Sequence, residues 1–281
     1  MALMASSPQS VVRPVAAGGE KAVQSDTFEV LARAGFVARG VVYAIIGVLA
    51  IKLAFGVGGK TTDQKGALKT VADQPFGKVL LILLAMGLAG YALWRFVHAA
   101  LGHGPERTDS GLDRVTAFCS GIVYAGLCAL AVVILLGSGG GGGSTSPNKA
   151  TGGALGWSGG TWLVGLAGLV MIGVGAYQGY RGVTHDFLRD SKSEQMGPAT
   201  RTSVKWFGTF GLLARMVVFV LVGVFLIKAA VEYDPSEAVG IDGALAKLAN
   251  STQGPLLLGV VAAGLIAFAI YSFSDARYRR I

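Results

Sequence analysis

Acidic side chains are scarce in this sequence, with 16 Asp and Glu against 24 Lys and Arg in 281 residues. None occurs between Asp113 and Asp186, and none inside any long apolar run. Coupled proton or cation transport normally uses carboxylates within the bilayer, so it lacks its usual groups here. Cysteine is limited to Cys119 and Cys128. Nine residues turn a helix through about 900°, which sets the two on opposite faces and prevents a bridge or a shared metal. The three histidines, His98, His103 and His185, sit at or beyond the ends of apolar runs. Haem would need histidines on facing helices, and zinc would need more ligands close together, so no cofactor and no metal are expected. Neither Ser120 nor the cysteines have a sequence-visible base to activate them, so the chain is not expected to be an enzyme. The first 27 residues lack the basic start, apolar stretch and cleavage site of a secretory signal and read as a disordered tail.

Apolar side chains and glycine are abundant: 52% of residues are hydrophobic, only 14% are charged and 43 are glycine. That balance excludes an ordinary soluble core. Six apolar runs, at 34–56, 79–100, 115–137, 161–181, 209–231 and 255–273, each have the roughly 20 residues needed to cross about 30 Å of hydrocarbon. They fall into three copies of a two-helix unit. The odd helices align at Arg39-Gly-Val-Val-Tyr43, Ser120-Gly-Ile-Val-Tyr124 and Arg215-Met-Val-Val-Phe219. The even helices align at Gly87 to Arg95, Gly173 to Arg181 and Gly264 to Ser272, with a Gly-Ala-Leu between at Gly66, Gly153 and Gly243. The expected fold is an all-α polytopic membrane protein with repeats at 28–102, 109–183 and 204–279. Units that cross twice begin on the same side, so the copies are parallel repeats and a pseudo-threefold bundle is their natural closure.

Charge sets the expected orientation. Placing the N-terminus, the loops after the second and fourth spans, and the C-terminus on one side collects all 13 arginines and three of the 11 lysines. That side is expected to be cytoplasmic, with both termini inside. The net charge of +8 suits anionic lipid head groups, which favour each basic flank by about 1 kcal/mol, and nucleic acid is not required.

Helices in lipid associate through small residues. The stripe Gly40, Ala44 and Gly47 has counterparts at Gly121 and Ala125, and the pairs Gly87 with Gly90, Gly173 with Ala176 and Gly264 with Ala267 repeat the device on the even helices. Between spans, copies one and three carry short helical turns ended by Pro75 and Pro255, whereas copy two runs through the glycine-rich spacer Gly137 to Ser144. Gly56-Val-Gly-Gly-Lys-Thr61 lacks the first glycine of a phosphate loop and follows a helix, so it reads as an outer loop.

The best site candidate is a collar of arginines, Arg39, Arg95, Arg181 and Arg215, at the ends of the spans facing the cytoplasm. Guanidinium forks grip phosphate in two-pronged fashion, so the collar could contact an anion or lipid head group; alternatively the side chains snorkel to fix helix depth. Lys52 and Lys228 are expected to snorkel at the opposite ends. The pairs Tyr91 with Trp94, Tyr177 with Tyr180 and Phe268 with Tyr271 are expected to form an interfacial aromatic belt.

The Ala-Arg-Gly-Val-Val-Tyr at Ala38, the Gly-Ala-Leu at Gly66, the Pro-Phe-Gly at Pro75 and the Gly-Leu-Ala-Gly-Tyr-Ala-Leu-Trp-Arg at Gly87 resemble the bacterial membrane proteins grouped as domain of unknown function 1206. The resemblance covers roughly residues 28–279 and implies repeated transmembrane helix pairs in a bacterial cell membrane, with no established activity. Copy two departs from the pattern at Ser120 and lacks the Pro-Phe-Gly. Three functions remain open at this point: a non-enzymatic scaffold or accessory subunit that meets a protein partner or its own copies, a passive facilitator for a small anion or neutral solute, and an anionic-lipid binding or handling protein.

Overall fold

A computed structural model of the chain describes residues 26–58, 61–101, 111–136 and 147–280. The expected tail lies outside these residues apart from its last two, which open the first helix. The glycine spacer Gly137 to Ser144, His103, and Gly59 and Lys60 of the outer loop also lie outside them.

Among the described residues the chain forms α1 (Asp26–Ala54), α2 (Gln64–Ala72), α3 (Gly77–Leu101), α4 (Gly111–Leu135), α5 (Pro147–Leu155), α6 (Gly160–Thr184), α7 (Pro198–Glu232), α8 (Ile241–Ala249) and α9 (Gly254–Tyr278). Six of these, α1, α3, α4, α6, α7 and α9, are long and apolar enough to cross a membrane. Several outrun the apolar spans that mark them. Helix α1 starts at Asp26, α7 at Pro198, and α9 continues to Tyr278, because helical hydrogen bonding persists into polar flanking turns. The extension of α9 brings Asp275 into a helix that the apolar run alone ends at 273.

The short helices α2, α5 and α8 lie between the two long helices of each copy. Asp63 caps α2 by accepting a 2.8 Å hydrogen bond from the Gly66 amide, satisfying one of the donors that a helix start leaves open. Each short helix ends in a tight turn onto a glycine. A Cβ on Gly77, Gly160 or Gly254 would lie 2.1, 1.7 or 1.8 Å from the carbonyl oxygen of Ala72, Ala154 or Ala249. Copy two therefore has the same short helix as the others. Composition alone points only to a flexible spacer there, because the glycine run hides the Pro147 start.

The long helices pair extensively in the order α4, α3, α1, α9, α7, α6. Helices α3 with α4, α9 with α1, and α6 with α7 join different copies, while α1 with α3 and α7 with α9 join helices of one copy. An equal threefold closure would add α4 with α6, and among the described residues these two form no extensive pair. One row of residues differs in step with this pattern. A Cβ on Gly35 would lie 2.5 Å from Tyr91 Cβ, and one on Gly211 would lie 2.6 Å from Phe268 Cα, so α1 meets α3 and α7 meets α9 almost backbone to backbone. Counted from Arg39, Ser120 and Arg215, the matching residue of α4 is Thr116, which carries a branched side chain where the other two copies have glycine.

Burial follows from this order. The most apolar stretches of α1 and α9 are 56% buried, against 17% in α4 and 22% in α6, so the first and third copies make the interior and the second copy flanks it. The main apolar cluster accordingly centres on Phe36, Ile46, Leu88, Tyr91, Leu265 and Phe268.

Candidate functional site

The interior arginine Arg39 does not snorkel. Helix α1 holds it between α3 and α9, where it is 4% exposed. Its Nε donates to Ser272 Oγ at 3.1 Å, one terminal nitrogen to Tyr91 Oη at 2.7 Å, and the other to Asp275 Oδ2 at 2.9 Å. The guanidinium carbon also lies 5.0 to 5.1 Å from the ring centres of Phe36, Tyr91 and Phe268. A cation withdrawn from water this fully needs a counter-charge and hydrogen bonds, and this one has Asp275 and a hydrogen bond from each of its three nitrogens.

Asp275 anchors a wider network. Arg279, one turn further along, approaches its carboxylate at 3.5 Å and that of Asp190 at 3.2 Å. Burial opposes the Arg279 charge, yet Asp275 and Asp190 hold its pKa above the ordinary arginine value. Arg181 pairs with Asp190 from the other side. The connection after α6 is thereby pinned to the end of α9, helped by the Lys192 amide donating to the Tyr278 carbonyl at 2.6 Å. From α1, Arg33 donates to the carbonyls of Ala276 and Arg277, both at 2.7 Å, which satisfies acceptors that the end of α9 would otherwise leave open.

Arg95 turns back along its own helix, its Nε donating to Tyr91 Oη at 3.1 Å and its guanidinium lying over the rings of Tyr91 and Trp94. Arg215 lies over three rings, 4.3 Å from Phe268, 5.1 Å from Phe219 and 5.2 Å from Tyr43. Its Nε is buried with no hydrogen-bond partner. The structure thus separates the four collar residues: Arg39 and Arg181 are ion-paired, Arg95 is held by a phenol, and Arg215 rests on aromatic faces.

Several expected positions are corrected. Tyr91, Trp94, Phe268 and Tyr271 are buried inside the bundle instead of forming an interfacial belt, because their helices are the central ones; Tyr180, on the flanking α6, is exposed. His98 is buried and stacked on Trp94 with ring centres 5.5 Å apart, while His185 ends α6 in a left-handed conformation at φ 59°. At the opposite end, Lys228 is ion-paired with Glu237 at 3.1 Å and Lys52 is exposed.

The small residues of α1, α3, α4 and α9 meet neighbours. Gly40 faces the Phe273 ring, Gly47 faces Ile266, Gly87 faces Ala34 and Ala38, Gly90 faces Leu31, Gly121 faces Phe96 and Gly264 faces Ala214. Ala44 and Ala125 pack against the core, and Ala267 is buried. Helix α6 differs: a Cβ on Gly173 would meet nothing within 4 Å and Ala176 is exposed, whereas Gly168, Gly175, Gly179 and Gly182 face α7. The helix carries glycine on more than one face, so the motif alignment selected the outward one. Sequence reasoning also missed Asp275, Asp190, Arg279 and Arg33. The signal that could have found them was Ser272, Asp275 and Arg279 at spacings of three and four on α9, one helix face running past the apolar limit.

The family model described as Domain of Unknown Function (DUF1206) matches residues 34–114, 115–185 and 210–279. The chain is 35% identical over 253 residues to the uncharacterized protein YxxB of Bacillus subtilis (strain 168), covering 89% of this chain and 90% of that one. No solved structure matches.

Proposed function

Since the chain belongs to the family described as Domain of Unknown Function (DUF1206), whose name carries no activity, we propose a task from its geometry: a non-enzymatic membrane scaffold or accessory subunit. In this reading it resides in the cell membrane with both termini cytoplasmic. Helices α4 and α6 present their outward faces to a transmembrane helix of a partner subunit.

One observation supports this reading most directly. The Arg39 side chain ties α1, α3 and α9 together through Tyr91, Ser272 and Asp275, while among the described residues the two long helices of the second copy form no extensive pair with each other. A rigid inner body with an unclosed flank suits assembly better than turnover. The outer faces of those helices carry exposed Ile122, Val123, Leu166 and Val170.

Photo-crosslinking residues at Ile122 and Leu166 in native membranes test the proposal. A discrete heavier protein adduct is expected from both positions. An adduct at twice the chain mass would replace the partner subunit by a second copy, and adducts with lipid alone would overturn the scaffold reading. Orientation is tested separately by single-cysteine labelling after replacing Cys119 and Cys128. Ser144→Cys should react from outside and Ser193→Cys only from the cytoplasm; the reverse would overturn the assigned topology.

A further inference from the structure

Two helix interfaces in this protein are built on the same contacts, and they differ in charge. Where α1 crosses α9, Gly40 meets the Phe273 ring, and a Cβ on Gly47 would lie 2.7 Å from Ile266 Cγ1 and 3.0 Å from the Ala262 oxygen. Where α7 crosses α6, the glycine of the first contact has changed sides, so that Gly179 meets Met216. A Cβ on Gly223 would lie 2.7 Å from Ile172 Cγ1 and 2.6 Å from the Gly168 oxygen. Both contacts of one interface thus have a counterpart in the other. This packing register places α6 three residues away from the alignment that its glycine motif suggests.

The chemistry at matched positions follows from that register. Arg39 corresponds to Arg215, Ser272 to Gln178, Asp275 to Arg181, and Tyr91 to Phe268. At the first interface one guanidinium donates to a hydroxyl, a phenol and a carboxylate. At the second, the phenol position lacks its hydroxyl and the carboxylate position holds another cation. Three polar atoms there are buried without a partner: Arg215 Nε, Arg181 Nε and Gln178 Oε1. Arg181 has Asp190 as counter-charge, and Asp190 is shared with Arg279. Arg215 has no carboxylate partner among the described residues, only the rings of Tyr43, Phe219 and Phe268.

We propose that the α6–α7 corner formed by Arg215, Arg181 and Gln178 binds a phosphate-type anion, which supplies the negative charge that Asp275 supplies at the α1–α9 corner. Arginine suits this role because its planar fork offers parallel N–H donors to a tetrahedral oxyanion. The Gln178 amide can turn to present its N–H, leaving the anion to accept from all three side chains. Arg215 stacked on aromatic faces is the resting arrangement of a cation without an acceptor in a medium of low dielectric. The phosphate chemistry is shared by a phospholipid head group and by free inorganic phosphate. The proposal does not rest on the scaffold reading, since it concerns the inner corner and not the outward faces of α4 and α6.

The test uses thermal unfolding of the full chain in two settings. In an uncharged maltoside detergent, inorganic phosphate is titrated at constant ionic strength. In nanodiscs, phosphatidylglycerol is compared with phosphatidylcholine. Wild type is expected to show a saturable rise in Tm. A rise in both settings assigns the corner to phosphate in general, and a rise confined to phosphatidylglycerol assigns it to the head group. The near-isosteric Gln178→Glu places a carboxylate at the position that matches Ser272 in the first interface. It is expected to raise Tm without ligand and to abolish the anion response while remaining folded. Arg215→Met is expected to lose the response as well, and Arg39→Lys to keep it if folded. No response of wild type in either setting, or an undiminished response in Gln178→Glu, would overturn the proposal.

Discussion

The corner where α1 meets α9 and the corner where α6 meets α7 share a backbone design and part company in their polar side chains. In the first, a fully buried arginine is matched by Asp275 and by two hydroxyl groups. In the second, the corresponding arginine rests on aromatic faces, and its Nε is unpartnered. Repeated packing therefore does not imply repeated chemistry. Gly47 and Gly223 occupy matched contacts because close helix approach demands it, whereas the charged residues were free to diverge once each helix pair was held by its apolar contacts.

The largest expected effect comes from breaking the ion-paired corner. Asp275→Asn leaves Arg39 and Arg279 without their shared counter-charge, and removing one partner of a buried pair costs about 3–5 kcal/mol. Arg215→Met removes only ring contacts, at about 2 kcal/mol for a desolvated cation without anion. Denaturation midpoints of the two variants in one detergent compare the corners directly; equal losses would erase the distinction.

A second pair of variants concerns helix approach. Gly211→Ala forces a Cβ to within 2.6 Å of Phe268 Cα, and overpacking of this kind costs about 1–3 kcal/mol. At Gly173 the same change meets nothing within 4 Å and is expected to stabilise by about 0.5–1 kcal/mol through helix propensity. Opposite signs in thermal unfolding would mark the two glycines as inward and outward.

The smallest effect lies outside the spans. The Lys247 and Lys228 side chains hydrogen-bond to Glu237 and hold its carboxyl below the usual carboxylate value. A carboxyl with a lowered folded pKa contributes stability above its unfolded pKa and loses it as pH falls through the folded one. The Tm difference between wild type and Glu237→Gln should therefore shrink between about pH 7 and about pH 3. A constant difference would show that the pair contributes nothing to the fold.

Much of this was legible in the residues. Runs of roughly 20 apolar residues marked the crossing helices, since an unpaired backbone in hydrocarbon is too costly for any other form. Tandem landmarks such as Tyr43, Tyr124 and Phe219 marked three copies, and Gly40, Gly47, Gly87 and Gly264 were recognised as contact residues. The site was read less well. Arg39 looked like a snorkelling side chain because its partners lie more than 50 residues away in sequence, at Tyr91, and more than 230 away, at Ser272 and Asp275. No local pattern connects them.

Hydropathy, length and repetition act along the chain, and they suffice to establish a membrane-crossing protein made of repeated helix pairs. Packing was needed to settle which face of each helix is inside, that copies one and three form the interior, and that Asp275 neutralises Arg39 while Arg215 has no matching carboxylate among the described residues. Those outcomes depend on how helices slide and rotate against one another. A shift of three residues in α6 puts Arg181 instead of Thr184 at the place that matches Asp275, and only the packed interface fixes that shift.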